Sequence, residues 1–362
     1  MKALILAGGF GTRLRPLSCT RPKTLYPKIN KPLLQWIYEK LAQNNITEVI
    51  LAVNQHTALY IKQQRIPKHG LHIKYSHDPT RIPLGTAGPI KKAEKLLGHT
   101  EPFLVINGDI LTDLNYRDVI ETHKKTNATA TIALRKVEDP TRYGVAEIAK
   151  DNHIIRFIEK PPKNTTPSNL INAGIYVLNP KIFQYIPAGK TVSMEREIFP
   201  TLAQEGTLYG HITKDRWIDI GKPEEYLQTN KLLLDTVGNM QKHKSTSRFQ
   251  LKQPAALDKN VSIGEQSTIG PYAILGKNVI VGINVKINNS VIFPHAKIAD
   301  STTITGAIIG EGATIGKNVK IGKGCIIADQ AKIKDNITLP DEASVCPAKE
   351  VSENILKTKI IC

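Results

Sequence analysis

The sequence predicts an α/β protein: a mixed, mainly parallel sheet with helices on both faces, followed by a solenoid of short parallel strands. Three observations carry this. Continuous apolar runs, KALILA at 2–7, EVILAV at 48–53 and FLVI at 103–106, read as buried parallel strands. Helix-spaced segments lie between them, the alternation of a wound α/β sheet. Beyond residue 254 aliphatic residues recur every six positions, a spacing that neither the helical nor the strand period produces.

The elements follow in order. After the strand at 2–7 comes a helix at 33–44, with Leu33, Leu34, Ile37 and Leu41 on one face. A strand at 48–53, a helix at 56–65, a strand at 71–76, a helix at 87–97 and a strand at 103–106 continue the alternation. Strands at 128–134, 144–149 and 171–178 alternate in hydropathy, which predicts an antiparallel portion. Pro223 opens a closing helix at 223–237. Residues 238–254 are polar and unpatterned and read as a connector.

The solenoid has two trains. Ile263, Ile269, Leu275, Val281 and Ile287 form the first; Ile309, Ile315, Ile321, Ile327, Ile333 and Leu339 form the second. An irregular middle holds Ile292, Ile298 and Ile304, and the five-residue step from Ile304 to Ile309 predicts a break at a shortened turn. Each hexapeptide supplies one flat strand whose aliphatic residue stacks on the coils above and below. Glycine follows many of these residues, as in Ile263-Gly264 and Ile315-Gly316, and tolerates a positive φ at a corner. With three hexapeptides per coil there are about five coils. The pattern resembles the left-handed parallel β-helix of hexapeptide-repeat proteins. The expected domains are 1–237, the connector 238–254, the β-helix 255–345 and a tail 346–362.

Composition narrows the function classes. The chain has 362 residues, 41% of them hydrophobic and 22% charged, enough for two ordinary globular domains. No apolar run approaches the ~18 residues of a membrane span, and the opening stretch is too short for a signal peptide. Cys19, Cys325, Cys346 and Cys362 are scattered without a CxxC, so neither a disulfide framework nor a zinc site is expected and a reducing cytoplasm fits. The net charge of +17 is spread along the chain: residues 1–240 hold 33 basic and 22 acidic side chains, residues 241–362 hold 16 and 10. Without an arginine-rich arm or a basic-aromatic cluster, this reads as a solvated basic surface whose field draws in small polyanions, not as a nucleic-acid interface.

The sharpest motif is Gly8-Gly9-Phe10-Gly11-Thr12-Arg13-Leu14-Arg15-Pro16, directly after the first strand. Its glycines let a backbone approach a ligand and form an anion-binding nest, and Arg13 and Arg15 add charge-assisted phosphate donors. The lysine and hydroxyl of a P-loop are missing, and Leu14 spoils the dinucleotide fingerprint. The C-terminal end of the first strand is where α/β sheets bind ligands.

With Arg21-Pro22-Lys23-Thr24-Leu25 and Asn30-Lys31-Pro32-Leu33 the opening resembles the sugar-1-phosphate nucleotidylyltransferases. Leu84-Gly85-Thr86-Ala87-Gly88-Pro89, Asn107-Gly108-Asp109, Tyr143-Gly144-Val145, Phe157-Ile158-Glu159-Lys160-Pro161, Asn172-Ala173-Gly174-Ile175-Tyr176 and Trp217-Ile218-Asp219-Ile220-Gly221 are similar to later motifs of that family, in its order. The resemblance covers 1–237 and continues into the repeats. It implies a Rossmann-like mixed, mainly parallel sheet nucleotidyltransferase domain before a left-handed parallel β-helix. LGTAGP and the closing Cys346-Pro347-Ala348-Lys349-Glu350 look most like the branch that joins GTP to mannose 1-phosphate.

The resemblance implies an NTP and a sugar 1-phosphate as small-molecule substrates, giving an NDP-sugar and pyrophosphate. Leu6, Gly8, Gly9, Gly11, Thr12, Arg13, Lys23, Asn54, Gly85, Thr86 and Asp109 are then the nucleotide-binding residues. Arg13, Lys23, Asp109 and Asp219 are catalytic, and Asp109 and Asp219 hold one Mg2+, a hard cation suited to oxygen ligands. Gly144, Glu159, Lys160 and Asn172 take the sugar phosphate. No membrane partner is expected, and the flat β-helix faces predict a homo-oligomer.

Three rival readings differ in testable ways. A sister enzyme would use glucose 1-phosphate with UTP or dTTP. A bifunctional uridyltransferase would acetylate through its β-helix, yet His295 stands alone within the repeats. A regulatory paralogue would have lost activity, against which Arg13, Lys23, Asp109 and Asp219 all stand intact.

Overall fold

The structure, a computed structural model, describes residues 1–9, 11–79, 83–237, 248–355 and 360–362. Phe10 and the 238–247 part of the expected connector lie outside the described residues. The chain divides into two units: Met1–Gly9 with Leu33–Asp219, and Phe10–Pro32 with Ile220–Cys362.

The first unit is a wound sheet. Strands β1 (Lys2–Leu6), β2 (Glu48–Asn54), β3 (His72–Asp78), β4 (Phe103–Asn107), β5 (Ile110–Thr112), β6 (Ala130–Lys136), β7 (Gly144–Ile148), β8 (Ile154–Glu159), β9 (Leu170–Leu178), β10 (Leu208–Thr213) and β11 (Trp217–Asp219) follow in chain order. The main sheet runs β8-β7-β9-β4-β1-β2-β3, with β6 on β9 and β10 on β6. β4, β1, β2 and β3 are mutually parallel; the first three are continuous apolar runs, and β3 (HIKYSHD) is a polar edge strand. β9 enters antiparallel to β4, β6 and β7, the expected antiparallel portion. Leu4, Ile50, Val105, Tyr176 and Phe199 meet in one core.

Helices α1 (Leu33–Gln43) and α2 (Gln55–Gln63) stand where helical periodicity placed them. The segment expected as one helix at 87–97 is instead two short ones, α3 (Gly88–Lys92) and α4 (Glu94–Leu97). They meet at Ala93, where ψ relaxes to −1°. Helices α5 (Tyr116–Thr126) and α6 (Phe199–Gln204) and strands β8 and β10 went unread. Charged and polar residues make up most of α5, with only Tyr116, Val119 and His123 buried, so its apolar stripe is thin.

The second unit holds α7 (Pro223–Val237) and the left-handed β-helix. Three parallel sheets of six, seven and six strands stack in register. The first begins at Gln250–Leu251, the second at Ala255–Leu257 and the third at Ser262–Ile263. The inward residues form vertical columns, for instance Leu275 on Ile292 on Ile309 on Ile327 on Val345. Dispersion contacts along such columns replace the globular core these flat strands lack.

The irregular middle is not a break. Ile287 pairs with Ile304 and Ile304 with Ile321, so the columns run straight through it. The five-residue steps, Ile287 to Ile292 and Ile304 to Ile309, fall at one corner of successive coils. There Asn289 and Gly306 turn the chain with φ of 47° and 62°. A shortened corner thus removes a residue without moving a strand.

The cysteine expectation needs a correction. Strand Ile360–Ile361 adds to Ser344–Val345, which brings Cys362 beside Cys346, and the two are bonded with Cα atoms 4.8 Å apart. Sixteen residues of separation hid a pairing that only the last coil creates. Cys19 and Cys325 are free. Among the described residues no helix is long and apolar enough to cross a membrane.

Candidate active site

The carboxyl ends of β4, β1, β2 and β3 build the first part of the site. Leu6 ends β1, and its carbonyl accepts from Gly108 N at 2.9 Å, so the turn carrying Asp109 is tied to the turn carrying Gly8 and Gly9. Gly9 has open space where a Cβ would stand; at Gly8 a Cβ would meet Asp78 Oδ2 at 3.0 Å. Asn54 ends β2, and its Oδ1 accepts from Thr57 N at 2.8 Å, capping α2.

Asp78 belongs to no motif and sequence reasoning missed it. It ends β3, and its Oδ1 is buried without a hydrogen bond. Burial pushes its pKa up to about 6, against a smaller lowering by Lys92. The folded chain then binds a proton between about pH 4 and 6 that the unfolded chain has released, so ionised Asp78 lowers stability as pH rises through that window. Asp78→Asn should therefore raise the unfolding free energy at pH 8, by about 1 kcal/mol after allowance for partial exposure, and not at pH 3.5. The same gain at both pH values would show that the charge is not its source.

The Gly85 turn is held by the segment 192–195. Gly85 has φ +71°, and a Cβ there would lie 2.2 Å from Val192 O. Thr86 Oγ1 donates to Glu195 Oε2 at 2.5 Å and accepts from Met194 N at 2.8 Å. Tyr176 is fully buried. Its hydroxyl accepts from Asn172 Nδ2 at 3.0 Å. Desolvation first, then the Glu195 carboxylate, raises its pKa well above the ordinary value, with a smaller push from Asp109. Thr86 with Glu195 and Tyr176 with Asn172 are thus two hydrogen-bonded pairs, coupled by the Glu195 charge acting on the Tyr176 hydroxyl; neither Tyr176 nor Glu195 was predicted to serve the site.

Asn172 Oδ1 also accepts from Gly174 N at 2.8 Å, and Gly174 takes φ +71° against the Asn107 side chain. Gly144 and Glu159 face each other across β7 and β8. A Cβ on Gly144 would strike Phe157 at 2.5 Å and Glu159 at 3.0 Å. Lys160 has φ +50° and pairs with Glu159 at 3.2 Å while remaining largely exposed. Trp217 Nε1 donates to Ala173 O at 2.7 Å and its ring meets Tyr143 edge-on, so β11 is anchored beside this group.

That anchoring decides where Asp219 sits. β11 runs antiparallel to β5, with Asp219 opposite Ile110, the neighbour of Asp109. Two carboxylates 110 positions apart in sequence stand on facing strand ends. Among the described residues no group of three or more His, Cys, Asp or Glu gathers as a ready-made metal cage. A pair of carboxylates suits a hard cation that takes its other ligands from phosphate and water.

Gly11, Thr12, Arg13 and Lys23 belong to the second unit. Gly11 is left-handed, φ 58° and ψ 33°, and opens the turn Thr12–Leu14. A Cβ on Gly221 would come within 3.0 Å of Arg13 Nη1 and 2.8 Å of Glu225 Oε2. Lys23 begins the turn Lys23–Leu25, and its Cβ lies 3.7 Å from the Cβ position of Gly11.

Glycine turns and carboxylates gathered at the strand ends of a wound sheet stand where α/β proteins bind their ligands. Comparison with known proteins then supplies the family: the chain belongs to the nucleotidyl transferase family, whose model matches residues 2–236. Residues 251–361 match the model described as the GMPPB C-terminal domain. Mannose-1-phosphate guanylyltransferase catalytic subunit beta of Dictyostelium discoideum is 41% identical over 245 residues, 67% of either chain. The protein of that name from Danio rerio is 42% identical over 239 residues, 66% of either chain. The matches thus span about two thirds of these curated relatives. Among solved structures, HddC from Yersinia pseudotuberculosis complexed with GMP-PN aligns with a TM-score of 0.55 and 30% identity, covering 64% of this chain and 99% of that one. A putative glucose-1-phosphate thymidylyltransferase from Bacillus anthracis aligns with a TM-score of 0.57 and 27% identity, covering 64% and 94%.

Proposed function

We propose that this protein transfers a nucleotidyl group from an NTP to a sugar 1-phosphate, with GTP and mannose 1-phosphate as its preferred pair. The observation that carries this reading is the family match over residues 2–236 joined to guanylyltransferase relatives at 41% and 42% identity.

The sugar phosphate oxygen is ionised at neutral pH and attacks the α-phosphorus in line. A phosphorus–oxygen bond forms on one side, and the bond to pyrophosphate breaks on the other with its electron pair leaving on pyrophosphate. No general base is needed; the difficulty is to hold two polyanions together. In this reading the backbone N–H groups of Gly8, Gly9, Gly11 and Thr12 cradle the triphosphate. Arg13 neutralises the departing phosphates and Lys23 the charge growing at the α-phosphate. Leu6, Gly8, Gly85 and Thr86 border the base, and Asn54 is a further candidate for the same region. Lys160 grips the acceptor phosphate, and Glu159, Asn172 and the Gly144 backbone bond the sugar.

Asp109 and Asp219 fit a divalent cation, and Mg2+, when bound, offsets phosphate charge at the reacting centre. The same reading makes 1–237 the transferase portion and 238–254 its connector to a β-helix at 255–345 with its tail. It also includes a cytoplasmic setting and a homo-oligomer formed through the β-helix.

Turnover on the four NTPs, each with mannose 1-phosphate and glucose 1-phosphate, tests it. GTP with mannose 1-phosphate should give the highest kcat/KM. A higher value for UTP or dTTP with glucose 1-phosphate overturns the guanylyl assignment alone; no product from any pair overturns the transferase assignment.

A further inference from the structure

We propose that the β-helix positions Lys23 through a socket for Arg21, so that Arg21, Glu311 and Asp329 are positioning residues of the reaction. The proposal rests on the role given to Lys23 above.

Three successive coils form the socket at one corner of the solenoid. Ile292, Ile309 and Ile327 stack in a column, so the residues just after them also stack: Phe293-Pro294, Gly310-Glu311 and Ala328-Asp329. The Arg21 guanidinium bonds Glu311 Oε2, reaches Asp329 Oδ2 at 3.5 Å and lies over the Phe293 ring at 5.2 Å. Thr20 Oγ1 donates to the same Asp329 oxygen at 2.8 Å. The side chains of Arg21 and Asp329 are only 13% and 12% exposed, so this pair is shielded from solvent in a way an ordinary surface pair is not.

The corner's own needs do not explain the second carboxylate. Asp329 Oδ1 accepts from Glu311 N at 2.7 Å, tying one coil to the next. Asp300, Asp335 and Asp341 make the same bond to Ile283, Lys317 and Lys323 at other turns. Glu311 makes no such bond through its side chain. It follows Lys259, Lys277 and Pro294 in the same stack, and there it supplies the carboxylate that meets Arg21.

The chain is pinned on the other side of Lys23 as well. Tyr26 is fully buried, with its ring 6.3 Å from Phe293 and 5.8 Å from Tyr226 of α7. Asn30 Nδ2 donates to Leu275 O in the solenoid at 3.1 Å, and Ile29 N donates to Asn230 Oδ1 at 3.1 Å. Lys23 sits in a one-turn element between these anchors, with Leu25 N bonded to Pro22 O at 2.9 Å. An ammonium meeting a transition state must be held to a fraction of an ångström, and a misplacement of about 1 Å can cost about a hundredfold. The coil corners supply that restraint two residues away.

A double-mutant cycle tests it in the full-length protein, following GTP and mannose 1-phosphate turnover. Glu311→Gln should lower kcat by about 10- to 100-fold with the KM for GTP changed less than about twofold. The same substitution in a Lys23→Ala background should change the residual kcat by less than about twofold, because its effect passes through Lys23. Glu265→Gln, at another solenoid turn, should leave kcat alone. An undiminished drop in the Lys23→Ala background, or no drop in the wild-type background, overturns the proposal while the transferase assignment stands. Wild-type turnover of Lys23→Ala alone overturns the role of Lys23 and this proposal with it.

Discussion

Lys23→Ala should lower kcat by about a thousandfold, the scale seen when one preorganised charge-stabilising donor is removed. The turn is closed by its backbone. Its bonds run between backbone groups, Leu25 N to Pro22 O and Tyr26 N to Lys23 O, and Thr24, Leu25 and Tyr26 remain buried. Thermal unfolding should therefore be nearly unchanged. Because the lysine is assigned to charge that grows in the transition state, kcat should fall more than the KM for GTP rises. Steady-state kinetics with a melting curve checks both. Turnover at the wild-type rate would remove Lys23 from the chemistry.

Asp219→Asn should raise the Mg2+ concentration for half-maximal activity by about tenfold or more and lower kcat at saturating metal by about a hundredfold. Asparagine keeps the shape and the strand register but not the anionic oxygen. Register puts Asp219 opposite Ile110, so the variant leaves Asp109 as the single carboxylate of the pair. β11 is held independently by Trp217 Nε1 on Ala173 O, so the strand should not detach. A titration that superimposes on the wild type would exclude Asp219 from the ligand set.

Much of the fold was legible because its signals are local. Continuous apolar runs gave three of the four mutually parallel strands β4, β1, β2 and β3, and a spacing of six gave the solenoid. The elements that escaped lack a strong pattern: α5 buries three residues, and β8 and β10 alternate weakly. The shortened corners misled for a related reason. Period counting treats a missing residue as a fault, whereas hydrogen bonding between coils needs only the strands in line. In the site, glycine turns and paired motifs were readable from residue type. Asp78, Tyr176 and Glu195 were not, since each owes its surroundings to strands or turns distant in sequence.

By itself the sequence determined the order of elements, the change from wound sheet to solenoid and the residue types able to neutralise phosphate, because hydropathy period and side-chain chemistry are written along the chain. Only the tertiary structure decided that Asp219 faces the Asp109 turn, that Cys362 meets Cys346 and that residues 20–30 lodge against three coil corners. Those outcomes depend on strand register and stacking between segments up to about three hundred residues apart, and no local pattern carries that information.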